Sequence, residues 1–260
     1  MLKAGHWFAV VIMLPDMYDI MFQDLGLIPY LKAWEYQEKL LQQVITAKLQ
    51  NEKCSGSGRK KVPGWFLFCE HPHVITLGKS GKEENLLAEK QWLEAKNVAV
   101  IRTNRGCDIT YHGPGQIVGY PILDLDLLGI GIREYVHHLE ESVIMTLAYF
   151  GIKGERLSGA TGVWLDASVS DKARKICAIG VRASRRVTMH GFALNVNTDL
   201  SYFGLINPCG ITGKAVTSMK EETGQQHEMN EVKRVLLGKF GEVFGIGRLR
   251  RQNFPTCCQF

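Results

Sequence analysis

Apolar positions recur at helical spacing in three stretches of the chain and crowd into short runs elsewhere. Trp34, Leu41, Val44, Ile45 and Leu49 fall on one side of a helix expected over residues 29–50. Ile132, Tyr135, Val136, Leu139, Val143, Leu147 and Phe150 share a face of a second helix over 132–150, which Gly151 caps. A third helix fits 229–244, and a shorter one 85–96. Strands are expected at 20–23, 65–69, 74–77, 98–102, 117–123, 162–166, 175–182 and 191–196, where β-branched or aromatic residues cluster. The runs 65–69 and 74–77, separated by His71-Pro72, read as neighbouring strands.

The polar, Ser/Gly/Lys-rich stretch 51–64 reads as a surface loop, 105–119 as a glycine-rich loop, and 168–174 as a turn. No internal repeat or composition shift divides the chain. Helices and strands mix without strict βαβ alternation, so the expected class is a single α/β domain with an α+β-like mixed sheet. Near the start, the apolar run 7–14 stops at Pro15 and Asp16, well short of the roughly 20 residues a membrane span needs. No small-residue cleavage site follows it. Residues 1–19 are therefore read as a dispensable extension, or as following an upstream start codon with true initiation nearer Met17 or Met21. The catalytic domain is then expected over 20–246 and a basic tail over 247–260.

Composition narrows the function classes. With 260 residues, 45% hydrophobic, the chain can bury a core without metal or disulfide staples. A net charge of +5 is dispersed, apart from 248–251, and favours encounter with acidic partners more than nucleic-acid binding. Seven cysteines in no regular framework, with no CxxC pair, argue against structural zinc and for reduced thiols in a cytoplasm. No nucleotide-binding loop of the GxxxxGK[ST] type occurs.

Three stretches carry candidate chemistry. Arg105-Gly-Cys-Asp-Ile-Thr-Tyr-His-Gly-Pro-Gly-Gln116 combines glycines with polar side chains and suits either a ligand wall or a tight surface turn. In Arg174-Lys-Ile-Cys-Ala-Ile-Gly-Val-Arg182, Lys175 opens an apolar strand, as a solvated edge lysine or as a proton carrier beside a pocket. The third is Met189-His-Gly-Phe-Ala-Leu-Asn-Val-Asn197 followed by Asn207-Pro-Cys-Gly-Ile211, in which His190 is open to reading as a core histidine or a substrate contact. Cys209 lies in a bend between Pro208 and Gly210, where a thiol can be accessible and a nearby ammonium would raise its thiolate fraction. Cys69 and Cys177 sit in apolar strands as inert core residues.

Together these stretches resemble the lipoyl(octanoyl) transferases over residues 24–244. Glu70-His-Pro-His, Thr76-Leu-Gly, Thr110-Tyr-His-Gly-Pro-Gly-Gln, Thr161-Gly-Val-Trp, Lys175-Ile-Cys-Ala-Ile-Gly, His190-Gly-Phe-Ala-Leu-Asn-Val-Asn and Pro208-Cys-Gly-Ile occur in that family's order. The resemblance implies the catalytic-domain fold of the biotin and lipoate protein ligases. It implies transfer of an octanoyl group from octanoyl-acyl carrier protein to a lysine of lipoyl-accepting domains, in 2-oxoacid dehydrogenase E2 subunits and the glycine cleavage H protein. Cys209 would be the acyl-thioester nucleophile and Lys175 its proton-shuttling partner.

By the same resemblance, Arg105, Gly106, Cys107, Asp108, Ile109, Thr110, Tyr111 and His112 would contact substrate, as would Ala178, Ile179, Gly180, Gly191, Phe192 and Ala193, with His190 beside them. No cofactor, metal, nucleic acid or membrane is expected, and the protein is read as a monomer. Two departures stand out. Cys107 replaces a usual glycine, and Arg186 a usual tryptophan, which leaves the packing there open. The rival readings are an ATP-dependent lipoate or biotin ligase, which needs no cysteine nucleophile, and a non-catalytic acyl-carrier binding protein.

Overall fold

The computed structural model describes residues 18–54, 61–169, 171–207, 215–246 and 249–251. The chain opens with β1 (Tyr18–Leu27), α1 (Tyr30–Lys53) and β2 (Val62–Glu70). It then makes an excursion through β3 (Val74–Leu77), α2 (Lys90–Ala95), β4 (Ala99–Arg102) and β5 (Ile109–His112) before β6 (Gln116–Ile122). The short α3 (Leu125–Leu128) and the long α4 (Ile132–Tyr149) lead to β7 (Glu155–Leu157), β8 (Ala160–Leu165), β9 (Arg174–Ser184) and β10 (Val187–Asn195). A 3-10 turn (Leu200–Leu205), β11 (Ala215–Val216), α5 (Met219–Thr223), α6 (Met229–Val243) and β12 (Leu249–Arg251) complete it.

Two sheets result. The large one runs β12-β1-β2-β6-β10-β9-β8-β7, with β11 pairing β9 off this path, and the small one runs β4-β3-β5. β1 is parallel to both neighbours, whereas β2 to β7 pair antiparallel, so the expected mixed sheet is what forms. Alternation along β2 explains the layering. Phe66 stacks on Phe240 of α6 with ring centroids 4.0 Å apart, while Leu67 and Cys69 turn to the opposite face with their β6 partners Tyr120 and Val118. That opposite face receives α1, whose Leu40, Leu41, Val44 and Ile45 are buried. Close packing on the α6 side explains one glycine: a Cβ at Gly119 would lie 2.2 Å from the Phe192 ring.

Several expectations are redrawn. The segments around Trp65 and Ile75 are not neighbours, because the chain leaves the large sheet at His71-Pro72 and β3 joins the small one. Helix α1 continues to Lys53 and β2 begins at Val62, so the expected loop is shorter at both ends; residues 55–60 lie outside the described part. The helix expected over 85–96 shrinks to α2, because residues 85–87 instead pair with 205–207 through Leu87 N–H to Leu205 O and Asn207 N–H to Asn85 O, both 2.8 Å. The glycine-rich loop contains β5, whose alternation is hidden among polar residues. At the start, β1 begins at Tyr18, inside the expected extension, and pairs with β2 from Tyr18 onward; residues 1–17 lie outside the described part.

The packing at Arg186 also resolves. Arg185 and Arg186, at φ +49° and +62°, form the two-residue turn that closes the β9–β10 hairpin, with Ser184 opposite Val187. Two successive left-handed residues match the strand twist. Arg186 pairs with Asp126 and donates to Ile130 O at 2.9 Å. Lys48 of α1 joins the cluster through Asp124 (2.8 Å), Asp126 and Arg185 O (3.2 Å).

Candidate active site

Between the α1 face of the large sheet and the small sheet lies a cavity of about 830 Å³. Its floor follows from strand register. Gln116, Val118 and Tyr120 alternate onto this face of β6; Gln116 pairs with Asn195 and Val118 with Ala193 of β10. Ala193 pairs in turn with Ala178 of β9, and Gly191 with Gly180. The centre of the floor is therefore small and apolar, flanked by polar side chains at its ends. The 3-10 turn contributes Leu200, Phe203 and Gly204 to the wall, and β11 contributes Ala215 and Val216.

At one end stands Lys175. In a regular strand Lys175 and Ala178 would point to opposite faces. The β8–β9 register shifts between Val163 and Trp164, pairing Val163 with Cys177 but Trp164 with Lys175. This bulge lets both Lys175 and Ala178 line the cavity. A glycine is required beside it: Gly162 has φ +121°, and a Cβ there would lie 2.5 Å from Cys177 O. The Lys175 ammonium donates to Thr161 O at 3.1 Å and sits 4.6 Å from the centre of the Trp164 ring, within cation–π range. Trp164 is itself fixed by its indole N–H to Ala160 O at 2.8 Å.

The other end is a lattice of buried polar groups. Arg105 is 6% exposed, and its guanidinium donates to Thr76 Oγ1, Thr76 O (2.7 Å), Asp108 O (2.8 Å) and Gly106 O (2.9 Å). Its fork thus shapes the loop that walls the cavity. Gly106 N–H ties that loop to Val181 O at 3.0 Å. The Asp108 carboxylate accepts from Asn85 Nδ2 at 2.6 Å and Lys82 N–H at 3.3 Å.

Three neutral imidazoles complete this end. His112 Nδ1–H donates to Gln116 Oε1 (2.8 Å), and Gln116 Nε2 donates to Asn195 Oδ1 (2.9 Å) and Tyr111 O (3.2 Å). The His112 ring stacks on Tyr30 at 5.8 Å. His71 Nδ1–H donates to Ile28 O (2.7 Å), and its Nε2 accepts from Tyr120 O–H (2.8 Å). His190 Nε2–H donates to Asn104 Oδ1 (2.7 Å), while its Nδ1 is buried without a hydrogen-bond partner.

Burial holds all three uncharged: it pushes His71 down to about 4 and His190 to about 3, and His112 well below the usual imidazole range, with Arg105 adding to the last two. Burial also pushes the Tyr30 hydroxyl up to about 12, so it remains a neutral phenol.

Of the residues singled out from sequence, Lys175, Arg105, Cys107, Asp108, Ile109, Thr110, His112, Ala178, Ile179, Gly180, His190, Gly191, Phe192 and Ala193 line this one cavity. Gly106 and Tyr111 do not line it. Gly106 supplies the backbone tie, and the Tyr111 hydroxyl bonds His73 Nδ1 at 2.7 Å while its ring stacks on Tyr202 at 5.0 Å. That stack anchors the 3-10 turn to the small sheet. Cys209, with 208–214, lies outside the described residues; Asn207, just before that stretch, lines the cavity. Cys107 occupies a left-handed position, φ +68°, which explains a glycine preference there, and its thiol donates to Ile179 O at 3.4 Å.

Sequence reasoning passed over Tyr30, Val118, Tyr120 and Asn195 as cavity residues. Period-two alternation in β6 and β10 was the available signal for three of them. Tyr30 has no such signal, because only the tertiary placement of α1 brings it there. No helix among the described residues is long and apolar enough to cross a membrane.

Comparison with known proteins places this architecture. The family described as lipoyl protein ligase A/B catalytic domain matches residues 29–241. An octanoyltransferase of Christiangramia forsetii is 54% identical over 229 residues, covering 87% of this chain and 96% of the relative. One from Parabacteroides distasonis is 51% identical over 223 residues, covering 86% and 97%. A putative lipoate protein ligase of T. acidophilum superposes with a TM-score of 0.64 at 14% identity, over 92% of this chain and 90% of that one, a likeness of fold. With half of its residues identical to octanoyltransferases along nearly their full length, the chain belongs to the octanoyltransferases of the lipoyl protein ligase A/B catalytic-domain family.

Proposed function

We propose that the protein transfers an octanoyl group from octanoyl-acyl carrier protein to the ε-amine of a lysine on lipoyl-accepting domains, through a thioester on Cys209. The observation that carries this reading is the placing of Lys175: a cationic amine held by Thr161 O and the Trp164 ring at the edge of a small-residue cavity. The likeness to octanoyltransferases supports octanoyl as the group moved.

In the first step the Cys209 thiolate attacks the donor thioester carbonyl. A new C–S bond forms, the donor C–S bond breaks, and the Lys175 ammonium protonates the departing carrier thiolate. In the second step the acceptor lysine, entering as the neutral amine, attacks the enzyme thioester. The C–N bond forms, the Cys209 thiolate leaves, and neutral Lys175 takes the one N–H proton that the nitrogen sheds as the amide forms. One thioester replaces another before the amide forms, so no ATP is consumed. The acceptors are lipoyl domains of 2-oxoacid dehydrogenase E2 subunits and the glycine cleavage H protein. Reduced cysteines, Cys54, Cys69, Cys107 and Cys177 among them, support a cytoplasmic setting, and we take the protein as a monomer.

Intact mass after incubation with octanoyl-acyl carrier protein, without ATP, tests the route. The expected result is an octanoyl adduct that hydroxylamine removes and that Cys209→Ala does not form. Lys175→Ala should slow transfer at least ~100-fold, the usual scale for losing a general acid–base group. Full activity in Cys209→Ala, or a requirement for ATP, would overturn the thioester route.

A further inference from the structure

β9 lies inside the large sheet with a partner on each side, yet Ala178 and Gly180 are only half-buried, because the cavity opens directly above them. Ala178 faces Ala193 across the β9–β10 pair, and Val118 lies beyond Ala193 on β6, so one row of small side chains crosses the floor. The next row is smaller still, Gly180 opposite Gly191, and there the loop closes down: a Cβ on Gly180 would stand 3.0 Å from Gly106 O and 3.4 Å from Arg105 Cδ. Beyond that row stand Arg105 and His190, fixed in the polar lattice.

Strand geometry converts these rows into lengths. The bulge takes up one residue between Lys175 and Cys177, so the strand advances roughly 7 Å from Lys175 to Ala178 and roughly 13 Å to Gly180, at about 3.3 Å per residue. An extended eight-carbon chain spans roughly 9 Å, given carbon–carbon bonds of about 1.5 Å. A chain whose carbonyl sits beside the Lys175 ammonium therefore brings its last carbons over and just beyond Ala178 and Ala193, with the Gly180–Gly191 row roughly 4 Å further on.

We propose that Ala178 tunes the acyl length: its methyl group is the floor beneath the last carbons of the chain, short of the closed Gly180–Gly191 row under the Arg105–Gly106 loop. Straight-chain acyl groups lie along β9 and β10, and any side chain longer than alanine at 178 rises into their path. This inference rests on the reading of the protein as an acyltransferase with its reacting carbonyl at the Lys175 end.

The test compares acyl-carrier thioesters of four, six, eight, ten and twelve carbons on the full chain, wild type beside Ala178→Leu and Ala178→Gly. The readout is the ratio of kcat/KM values within each preparation, which a general loss of folded protein does not move. Ala178→Leu should lower the octanoyl-to-butyryl ratio at least ~10-fold, since a single surplus methylene already changes discrimination on that scale. Ala178→Gly should move preference the other way, raising decanoyl over octanoyl.

Unchanged ratios in both variants, or total inactivity of the leucine variant together with an unchanged profile in the glycine variant, would overturn the assignment. Absence of an adduct from every donor in the wild type would instead overturn the acyltransferase reading beneath it. An active wild type with unmoved ratios condemns the length role alone.

Discussion

The two ends of the cavity are built on opposite principles. At the Arg105 end nearly every buried donor and acceptor is matched: the guanidinium serves Thr76, Gly106 and Asp108, and His71 and His112 sit between fixed partners. At the Lys175 end an ammonium meets a backbone carbonyl and an aromatic face at the rim of the cavity. The difference teaches where rigidity is needed. Half-satisfied polar groups in a low-dielectric interior are costly, so the closed end is densely wired, with His190 Nδ1 the exception. A proton carrier must gain and lose charge, and a carbonyl and a ring face are supports that tolerate both states.

Breaking the wired end should cost the most stability. Arg105→Met leaves Thr76 O, Asp108 O and Gly106 O without their donor, and should lower unfolding free energy by about 3 kcal/mol in urea titrations. Arg105→Lys should recover only part of this, lacking the planar fork. By contrast Lys175→Ala, so damaging to transfer, should change stability by less than about 1 kcal/mol, since its carbonyl partner at the cavity edge is open to water. Equal losses at both sites would erase the contrast.

Acid should find the wired end as well. His71, His112 and His190 are held below their unfolded pKa of about 6.5, so between that value and their folded values the unfolded chain binds more protons. Stability is then full above about pH 6.5 and falls as pH drops toward 4, each histidine adding a slope of up to about 1.4 kcal/mol per pH unit. Urea titrations from pH 7.5 to 4.5 should show the decline, and His71→Gln should make it shallower. A stability flat across this range would mean the imidazoles are not held neutral.

The smallest effect sharpens the comparison at the loop itself. Cys107→Gly removes the left-handed strain at φ +68°, about 1 kcal/mol, but adds freedom to the unfolded chain. The net should be a gain below about 1 kcal/mol, seen as a slightly raised melting temperature.

The legibility of the sequence divides along the same lines. Helices α1, α4 and α6 were readable because each shows one apolar stripe to the core, and β8, β9 and β10 because β-branched runs end at turn residues. What was not readable depended on non-local partners. β3 looks like a companion of β2, yet its hydrogen bonds go to β4 and β5. Residues 85–87 carry helix-compatible residues, yet their backbone is claimed by 205–207.

At the site, Lys175, Arg105 and His190 could be singled out by type and setting. Their roles could not, since a bulge re-aims Lys175 and a buried lattice absorbs Arg105. Tyr30 and Tyr120 became visible only once α1 and β6 were brought together.

The route of the chain between its two sheets has an evolutionary consequence. β2 ends at Glu70 and its partner β6 begins at Gln116, with Cys69 already opposite Val118, so residues 71–115 are one long detour between adjacent strands of a hairpin. The entropic toll of such a detour grows only by about 0.6 kcal/mol for each doubling of its length. Length alone is thus a minor cost for the roof over the cavity; its ties to the sheet, such as Gly106 N–H to Val181 O and Asn104 to His190, are what any remodelling must keep. Descendants of one scaffold could acquire new substrates by remodelling a single insertion while the platform beneath stays inherited.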